Sequence, residues 1–141
     1  MRFLSLWQPW ASLMAVGAKT IETRSWSTNY HGLVGIHAAK SREGLEWWAH
    51  PAFQSALRTG GIHGPLDDSY GAVIAVGELM DCILIQHAPL GDEGEFGNYE
   101  PGRWAWRFRN LQRLPEPIPW RGRQGLWAES LLEQVVIQAM R

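Results

Sequence analysis

Apolar and polar residues alternate in short runs along the chain, and the first runs predict a strand, a helix and a tight turn. Residues 2 to 7 alternate in the manner of a strand. Pro9 is suited to the first turn of a helix, and residues 10 to 16 place their apolar side chains on one helical stripe. Gly17 then fits a C-terminal cap, so this helix is expected to be short.

The later runs predict more strands than helices. Residues 41 to 59 have helical composition, but Pro51 removes a backbone donor and should restart the helix at His50. Prolines at 115, 117 and 119 argue against a central strand after residue 109. The further predicted strands cover residues 20–25, 32–39, 71–85, 103–109 and 126–127.

This order of elements lacks the regular strand-helix alternation of a doubly wound parallel sheet. It favours an α+β fold, namely a small mixed β-barrel with a few flanking helices. A chain of 141 residues is the size of one domain, so a single domain over residues 1–141 is predicted, with a terminal helix over 128–141.

Composition excludes several classes of protein. Apolar residues make up 45% of the chain and charged residues 19%, which is ordinary for a globular protein and unlike a disordered one. The absence of a signal-like apolar core near residue 1, or of a run long enough to span a bilayer, predicts a cytoplasmic protein that does not bind membranes. The histidines lack paired ligand spacing, and phosphate-loop and dinucleotide fingerprints are missing, so neither a metal nor a cofactor is expected.

The densest chemistry lies between Gly17 and Trp26. On a strand, Thr20, Glu22 and Arg24 share one face, because alternate side chains point the same way. A solvated edge strand would have this pattern, and so would the polar wall of a binding site. Lys19 falls on the opposite face unless it still belongs to the turn after Gly17, which the glycine permits.

Several motifs together resemble the ASCH domain, a branch of the PUA-like superfamily. The resemblance covers about residues 3 to 127, and its most specific part is a G-x-K-x-x-E-x-R pattern after a short helix. The matching segments are Leu4-Ser5-Leu6-Trp7-Gln8-Pro9-Trp10-Ala11, Gly17-x-Lys19-x-x-Glu22-x-Arg24, Ile36-His37-Ala38-Ala39-Lys40, Pro101-Gly102-Arg103-Trp104-Ala105-Trp106 and Pro117-Ile118-Pro119-Trp120-Arg121-Gly122.

The resemblance implies a small β-barrel with a cleft beside the first helix and residues 17 to 24. Members of the family are associated with RNA or DNA binding, and a ribonuclease activity has been attributed to some bacterial ones. The smallest bacterial relatives hydrolyse the acyl group of N(4)-acetylcytidine. One fold therefore carries different chemistries, and the choice among them depends on the residues of the cleft.

Amide hydrolysis requires a nucleophile, a base and positive charge for the oxyanion. Desolvation that favours neutral lysine would make Lys19 a usable base. The amidohydrolase relatives carry a threonine three positions after the lysine, and Glu22 occupies that position here. Either Glu22 activates water, or Thr23 or Thr20 supplies the hydroxyl, or the chain does not perform the reaction.

Other candidates surround this group. Glu78 is a cleft carboxylate if Lys19 or Arg24 is its partner, and otherwise it forms a structural salt bridge. Trp7 is expected in the core, and Cys82 is expected to be a buried, inert thiol. The residues predicted to bind the substrate are Trp10, Thr20, Arg24, Trp26, His37 and Lys40.

Three functions follow, and they differ in their partners. The first is a hydrolase that cleaves the amide of N(4)-acylated cytosine nucleosides with Lys19, Glu22, Thr23 and Glu78; the net charge of −1 suits a ligand without a polyanionic backbone. The second is a module that binds or cleaves single-stranded RNA with the same cleft and a basic face over residues 103 to 123. The third is a non-catalytic reader of a modified base.

Overall fold

The computed structural model describes all 141 residues as one curled sheet with helices on both of its faces. None of the helices has the length and apolarity that a membrane crossing requires. The strands are β1 (Arg2–Leu6), β2 (Ile21–Arg24), β3 (Gly32–Ala38), β4 (Ala72–Leu84), β5 (Trp104–Pro119) and β6 (Leu126–Trp127). The α-helices are α1 (Trp10–Ala15), α2 (Pro51–Thr59) and α3 (Ser130–Ala139).

The six strands form a mixed sheet in the order β2-β5-β4-β3-β1-β6. β1 and β3 run parallel, and the other neighbours are antiparallel. The sheet curls until its β2 edge reaches β1, where Arg24 Nη2 donates a hydrogen bond of 2.8 Å to the Ser5 carbonyl oxygen. The predicted small α+β barrel is confirmed in the form of a half-barrel.

Apolar side chains fill the sheet on both faces. On the concave side, Leu4 and Leu6 of β1 pack with Met14 of α1 and with Trp106 of β5 in the largest buried cluster. On the other side, Phe3 packs with β4, β5 and the buried residues of α3 in a second cluster. Because successive residues of β1 point to opposite faces, this strand contributes to both clusters.

The local predictions are confirmed for most elements. A 3₁₀ turn over Leu45–Ala49 ends at His50, whose backbone is extended, and α2 restarts at Pro51. Gly17 follows α1 with a φ of 79°, a left-handed conformation that glycine adopts without strain.

The prediction that β5 stops before its prolines is wrong. β5 continues for 16 residues to Pro119, and β4 extends for 13 residues. β2 pairs with β5 only as far as Arg107, so the later part of β5 is an edge that pairs with β4 alone. An edge strand tolerates proline because the missing N–H need not serve a second neighbour.

Candidate functional site

A cleft of about 610 Å³ opens between the end of β1, the start of α1, β2 and the loop that follows β4. This volume lies within the usual range of small-molecule sites. Its apolar lining consists of Leu6, Trp7, Trp10, Trp47 and Phe53. Its polar lining includes Glu22, Thr23, Arg24, Glu95, Asn98 and Arg103.

The turn after Gly17 brings Lys19 and Glu22 together. β2 begins only at Ile21, so Lys19 lies before the regular strand and its side chain is not bound to strand alternation. The distance from Lys19 Nζ to Glu22 Oε1 is 3.5 Å. The two residues that an ideal strand would separate are thus an ion pair.

Lys19 is completely buried. Its Nζ donates hydrogen bonds to the Ile21 carbonyl oxygen at 2.7 Å and to Tyr99 Oη at 3.2 Å. Burial lowers the pKa of Lys19, against the opposing attraction of the Glu22 and Glu93 carboxylates. The amine itself does not line the cleft, but the carboxylate of its ion-pair partner Glu22 does.

Two carboxylates line the cleft, the exposed Glu95 and the more buried Glu22. Glu22 is the one that ion pairs hold in place. Its side chain is 14% exposed, and Arg24 Nη2 donates to Oε2 at 3.2 Å. The Thr23 amide donates to Oε1 at 3.1 Å. Lys19 lies behind the same oxygen, so three donors hold the carboxylate while it remains open to the cleft.

The hydroxyls of Thr20 and Thr23 are both engaged. Thr23 Oγ1 donates to the Asn98 carbonyl oxygen at 2.7 Å and accepts from Arg103 Nε at 3.3 Å. Thr20 Oγ1 donates to Glu93 Oε2 at 2.7 Å, outside the cleft lining. Each threonine therefore fixes the loop after β4, and neither hydroxyl points free into the cleft.

Two other candidates lie away from the cleft. Glu78 accepts from Arg109 Nη2 at 2.7 Å, and this guanidinium lowers the pKa of the Glu78 carboxyl. Of the two alternatives for Glu78, the structure has the structural salt bridge and not the cleft carboxylate. Its partner is Arg109 rather than Lys19 or Arg24, because the sheet register places Arg109 directly opposite Glu78. Trp26 packs edge-on against Trp106, with ring centroids 4.8 Å apart, and does not line the cleft.

His37 and Lys40 border a different depression. His37 is hydrogen-bonded through Nδ1 to Ser5 Oγ at 2.9 Å and through Nε2 to the Trp120 carbonyl oxygen at 2.8 Å. Burial lowers the pKa of His37, which favours the neutral imidazole. Of the predicted site residues, the structure brings Trp10, Glu22, Thr23 and Arg24 into the cleft and Lys19 directly behind it.

The prediction that Trp7 lies in the core is wrong. It is 47% exposed and lines the cleft. Strand alternation does not reveal this, because it places Trp7 in phase with Phe3, which is fully buried. Trp47 and Phe53 reach the cleft from the separate helical segment, and no local pattern indicates that contact.

The predicted basic face over residues 103 to 123 is not continuous. Arg103 turns into the cleft, where Nη2 donates to the Thr23 carbonyl oxygen at 3.1 Å. Three of the other arginines form ion pairs with carboxylates, namely Arg107 with Asp81, Arg109 with Glu78 and Arg123 with Glu129. These pairs neutralise much of the charge on which polymer binding by this surface would depend.

The sequence matches known proteins over most of its length. A family model described as ASCH domain matches residues 4–92. Activating signal cointegrator 1 of Homo sapiens is 30% identical over 125 residues, which are 88% of this chain and 21% of the cointegrator. The Mus musculus protein of the same name is 28% identical over the same shares. The chain thus spans about a fifth of the length of these relatives.

Solved structures of similar fold include the ASCH protein of Zymomonas mobilis. It superposes with a TM-score of 0.59 over 97% of this chain and 93% of the bacterial one, at 16% sequence identity. A single-substitution variant of that protein superposes with a TM-score of 0.58 and covers 96% of the bacterial chain. At this identity the likeness concerns the fold.

Proposed function

Because the chain belongs to the ASCH domain family, we propose that it uses the family's cleft to hydrolyse the amide of N(4)-acylated cytosine nucleosides. The observation that carries the proposal is the Glu22 carboxylate, which faces an aromatic-lined cavity while Lys19 and Arg24 hold it from behind and beside. A fixed carboxylate next to a guanidinium supplies both a base for water and a positive charge for an oxyanion.

The walls of the cleft suit a nucleobase. Trp7 is 47% exposed and lines the cleft together with Trp10 and Trp47, and every base can stack on an indole ring. Arg24 can donate to a ring carbonyl, and Glu22 can accept from an exocyclic N–H. An acylated cytosine presents both groups, together with the acyl carbonyl that is to be attacked.

Water is the nucleophile in this proposal, since the Thr20 and Thr23 hydroxyls are engaged elsewhere. Glu22 accepts a proton as the water oxygen bonds to the acyl carbon, and the carbonyl oxygen becomes an oxyanion beside Arg24 or Arg103. Collapse of this intermediate breaks the bond from the acyl carbon to N4, and the nitrogen takes the proton that Glu22 holds. The products are a carboxylic acid and cytidine, so one water is consumed for each amide broken.

Lys19 is a positioning residue in this scheme. It is fully buried and touches Glu22 but does not line the cleft. When its amine is neutral, a state that burial favours, Lys19 can hold the proton that Glu22 has taken from water and return it to Glu22 before the bond to N4 breaks. The exchange of the relatives' threonine for Glu22 moves the reacting group from a hydroxyl to a carboxylate.

The direct test is an assay with purified protein and N(4)-acylated cytidines whose acyl groups increase in size. We expect release of cytidine and of the free acid in equal amounts, resolved by chromatography. If no member of the panel is cleaved although N(4)-acetylcytidine binds in a titration, the cleft reads a modified base without catalysis. If none is cleaved and none binds, the cleft has a different ligand.

Replacement of Trp7 by alanine is expected to weaken nucleoside binding. Base stacking on an aromatic ring is worth about 1–3 kcal/mol, so the Kd for N(4)-acetylcytidine should rise about 5- to 160-fold. Trp26→Ala is the matched control, because this indole is 37% exposed but lies outside the cleft. Isothermal titration of N(4)-acetylcytidine into both variants measures the two Kd values. An equal loss of affinity in the two variants would show that the base does not stack on Trp7.

A further inference from the structure

A second depression, of about 820 Å³, lies next to the cleft. We call it the outer basin, and it is bordered by Lys40, Gly71, Trp120, Arg121 and Gly122. It lies where the end of β3 meets the loop between β5 and β6. The proposed hydrolysis makes no use of this surface.

The lining of the outer basin carries positive charge only. Lys40, Arg121 and Arg123 belong to it, and none of its residues is Asp or Glu. Lys40 and Arg121 are exposed, and neither forms an ion pair, whereas Arg123 Nη2 lies 3.3 Å from Glu129 Oε2. In a chain whose net charge is −1, two unpaired cations around one concave surface favour an anionic ligand.

The backbone around the basin is closely packed. A Cβ at Gly122 would lie 2.6 Å from His37 Cε1 and 2.9 Å from Ser5 Oγ, so only glycine allows the loop to rest on this pair. In the same loop, the carbonyl oxygen of Trp120 is hydrogen-bonded to His37 Nε2 of β3. The Lys40 stem crosses Gly71 in a similar way, since a Cβ there would lie 2.8 Å from Lys40 Cγ. These contacts fix the backbone from which Lys40 and Arg121 extend.

Ser5 connects the two depressions, because it lines both. Its carbonyl oxygen accepts from Arg24 of the cleft, and its hydroxyl is bound to His37 of the basin. The two depressions therefore adjoin at Ser5, and a ligand in the cleft that extends past this residue enters the basin.

We propose that the outer basin binds a phosphate group attached to the nucleoside whose base occupies the cleft. This inference rests on the proposed function for the position of the base in the cleft. A phosphate site beside the cleft makes the substrate a nucleotide or a residue within RNA rather than a free nucleoside. Lys40 and Arg121 supply charge-assisted hydrogen bonds to the phosphate oxygens.

The test compares Lys40→Ala/Arg121→Ala with a control of equal charge, Arg58→Ala/Arg113→Ala. Arg58 and Arg113 are exposed, form no ion pair and lie outside the basin. The ligands are cytidine, its 3′- and 5′-monophosphates, a short single-stranded RNA and a sugar-phosphate strand of the same length without bases. Binding is followed by titration at several salt concentrations.

We expect phosphorylated ligands to bind wild type more tightly than cytidine, and the affinity of the Lys40/Arg121 variant for them to be about tenfold weaker. For the RNA, the slope of log affinity against log salt should fall by about 0.7 for each phosphate that the variant no longer neutralises. Cytidine binding should not change. Tighter binding of the monophosphates identifies a nucleotide ligand, and an effect confined to the strands identifies RNA.

The proposal is overturned if phosphate adds no affinity in wild type, or if both double variants are weakened by the same amount. The sugar-phosphate strand without bases tests the phosphate site independently of the proposed hydrolysis, because it carries no base to occupy the cleft. Weaker binding of that strand to the Lys40/Arg121 variant supports the basin even if the acylcytidine assay shows no hydrolysis.

Discussion

Replacement of Glu22 by glutamine is expected to reduce kcat/KM for N(4)-acetylcytidine hydrolysis by about 10²- to 10⁴-fold, the usual contribution of a general base. Glutamine keeps the size of the side chain and one acceptor oxygen, which can serve either Arg24 Nη2 or the Thr23 amide, but it cannot take a proton from water. The variant should therefore fold, and its thermal unfolding should confirm this. Cytidine release by chromatography measures the loss.

The division of the loss between kcat and KM distinguishes catalysis from recognition. A general base acts in the transition state, so kcat should fall while KM changes little. Glu100→Gln is the control, because Glu100 is exposed on the loop after β4, forms no ion pair and lies outside the cleft. A Glu22→Gln variant with wild-type kcat and a raised KM would make Glu22 a binding group and would leave the proposed mechanism without a base.

Much of this site could be predicted from local sequence. Gly17 after the short helix adopts a left-handed conformation, and the turn that it allows places the Lys19 side chain next to Glu22. The polar face of the following strand then places Glu22 beside Arg24, as alternation requires. The fold class followed from the same patterns, because mixed strands with few helices have few compact solutions.

The rest depends on contacts distant in sequence, which local patterns do not encode. Lys19 meets Tyr99 across 80 positions, and Thr23 meets Asn98 across 75. These contacts engage the threonine hydroxyl and bury the lysine, so they decide which group is free to react. The partner of Glu78 depends on the register of two long strands with several irregularities, and a shift of one residue would move the side chain to the other face.

Lys19→Met is expected to remove a pH dependence from both activity and stability. Methionine keeps an unbranched side chain of similar length, so it avoids the cavity that alanine would leave at a fully buried position. In wild type, burial holds the pKa of Lys19 below 10.5. If a neutral Lys19 takes the proton from Glu22, kcat should rise with pH and level off above that lowered pKa.

The stability of wild type should change in the same direction. Between the lowered pKa of folded Lys19 and 10.5, the unfolded chain binds more protons than the folded one, so the free energy of unfolding increases with pH. The slope cannot exceed about 1.4 kcal/mol per pH unit for one group. Urea unfolding below pH 10 should show this rise in wild type and a flatter profile in Lys19→Met.

The two measurements together decide the role of Lys19. If Lys19→Met loses both the rise of kcat with pH and the rise of the free energy of unfolding with pH, both effects belong to the Lys19 amine. Its contact with Glu22 at 3.5 Å is then the path by which a residue outside the cleft affects the reaction. If the variant keeps the rise of kcat with pH but loses the pH dependence of stability, Lys19 affects the folded structure and not the reaction. Glu22 would then return its proton to the leaving nitrogen without help from Lys19.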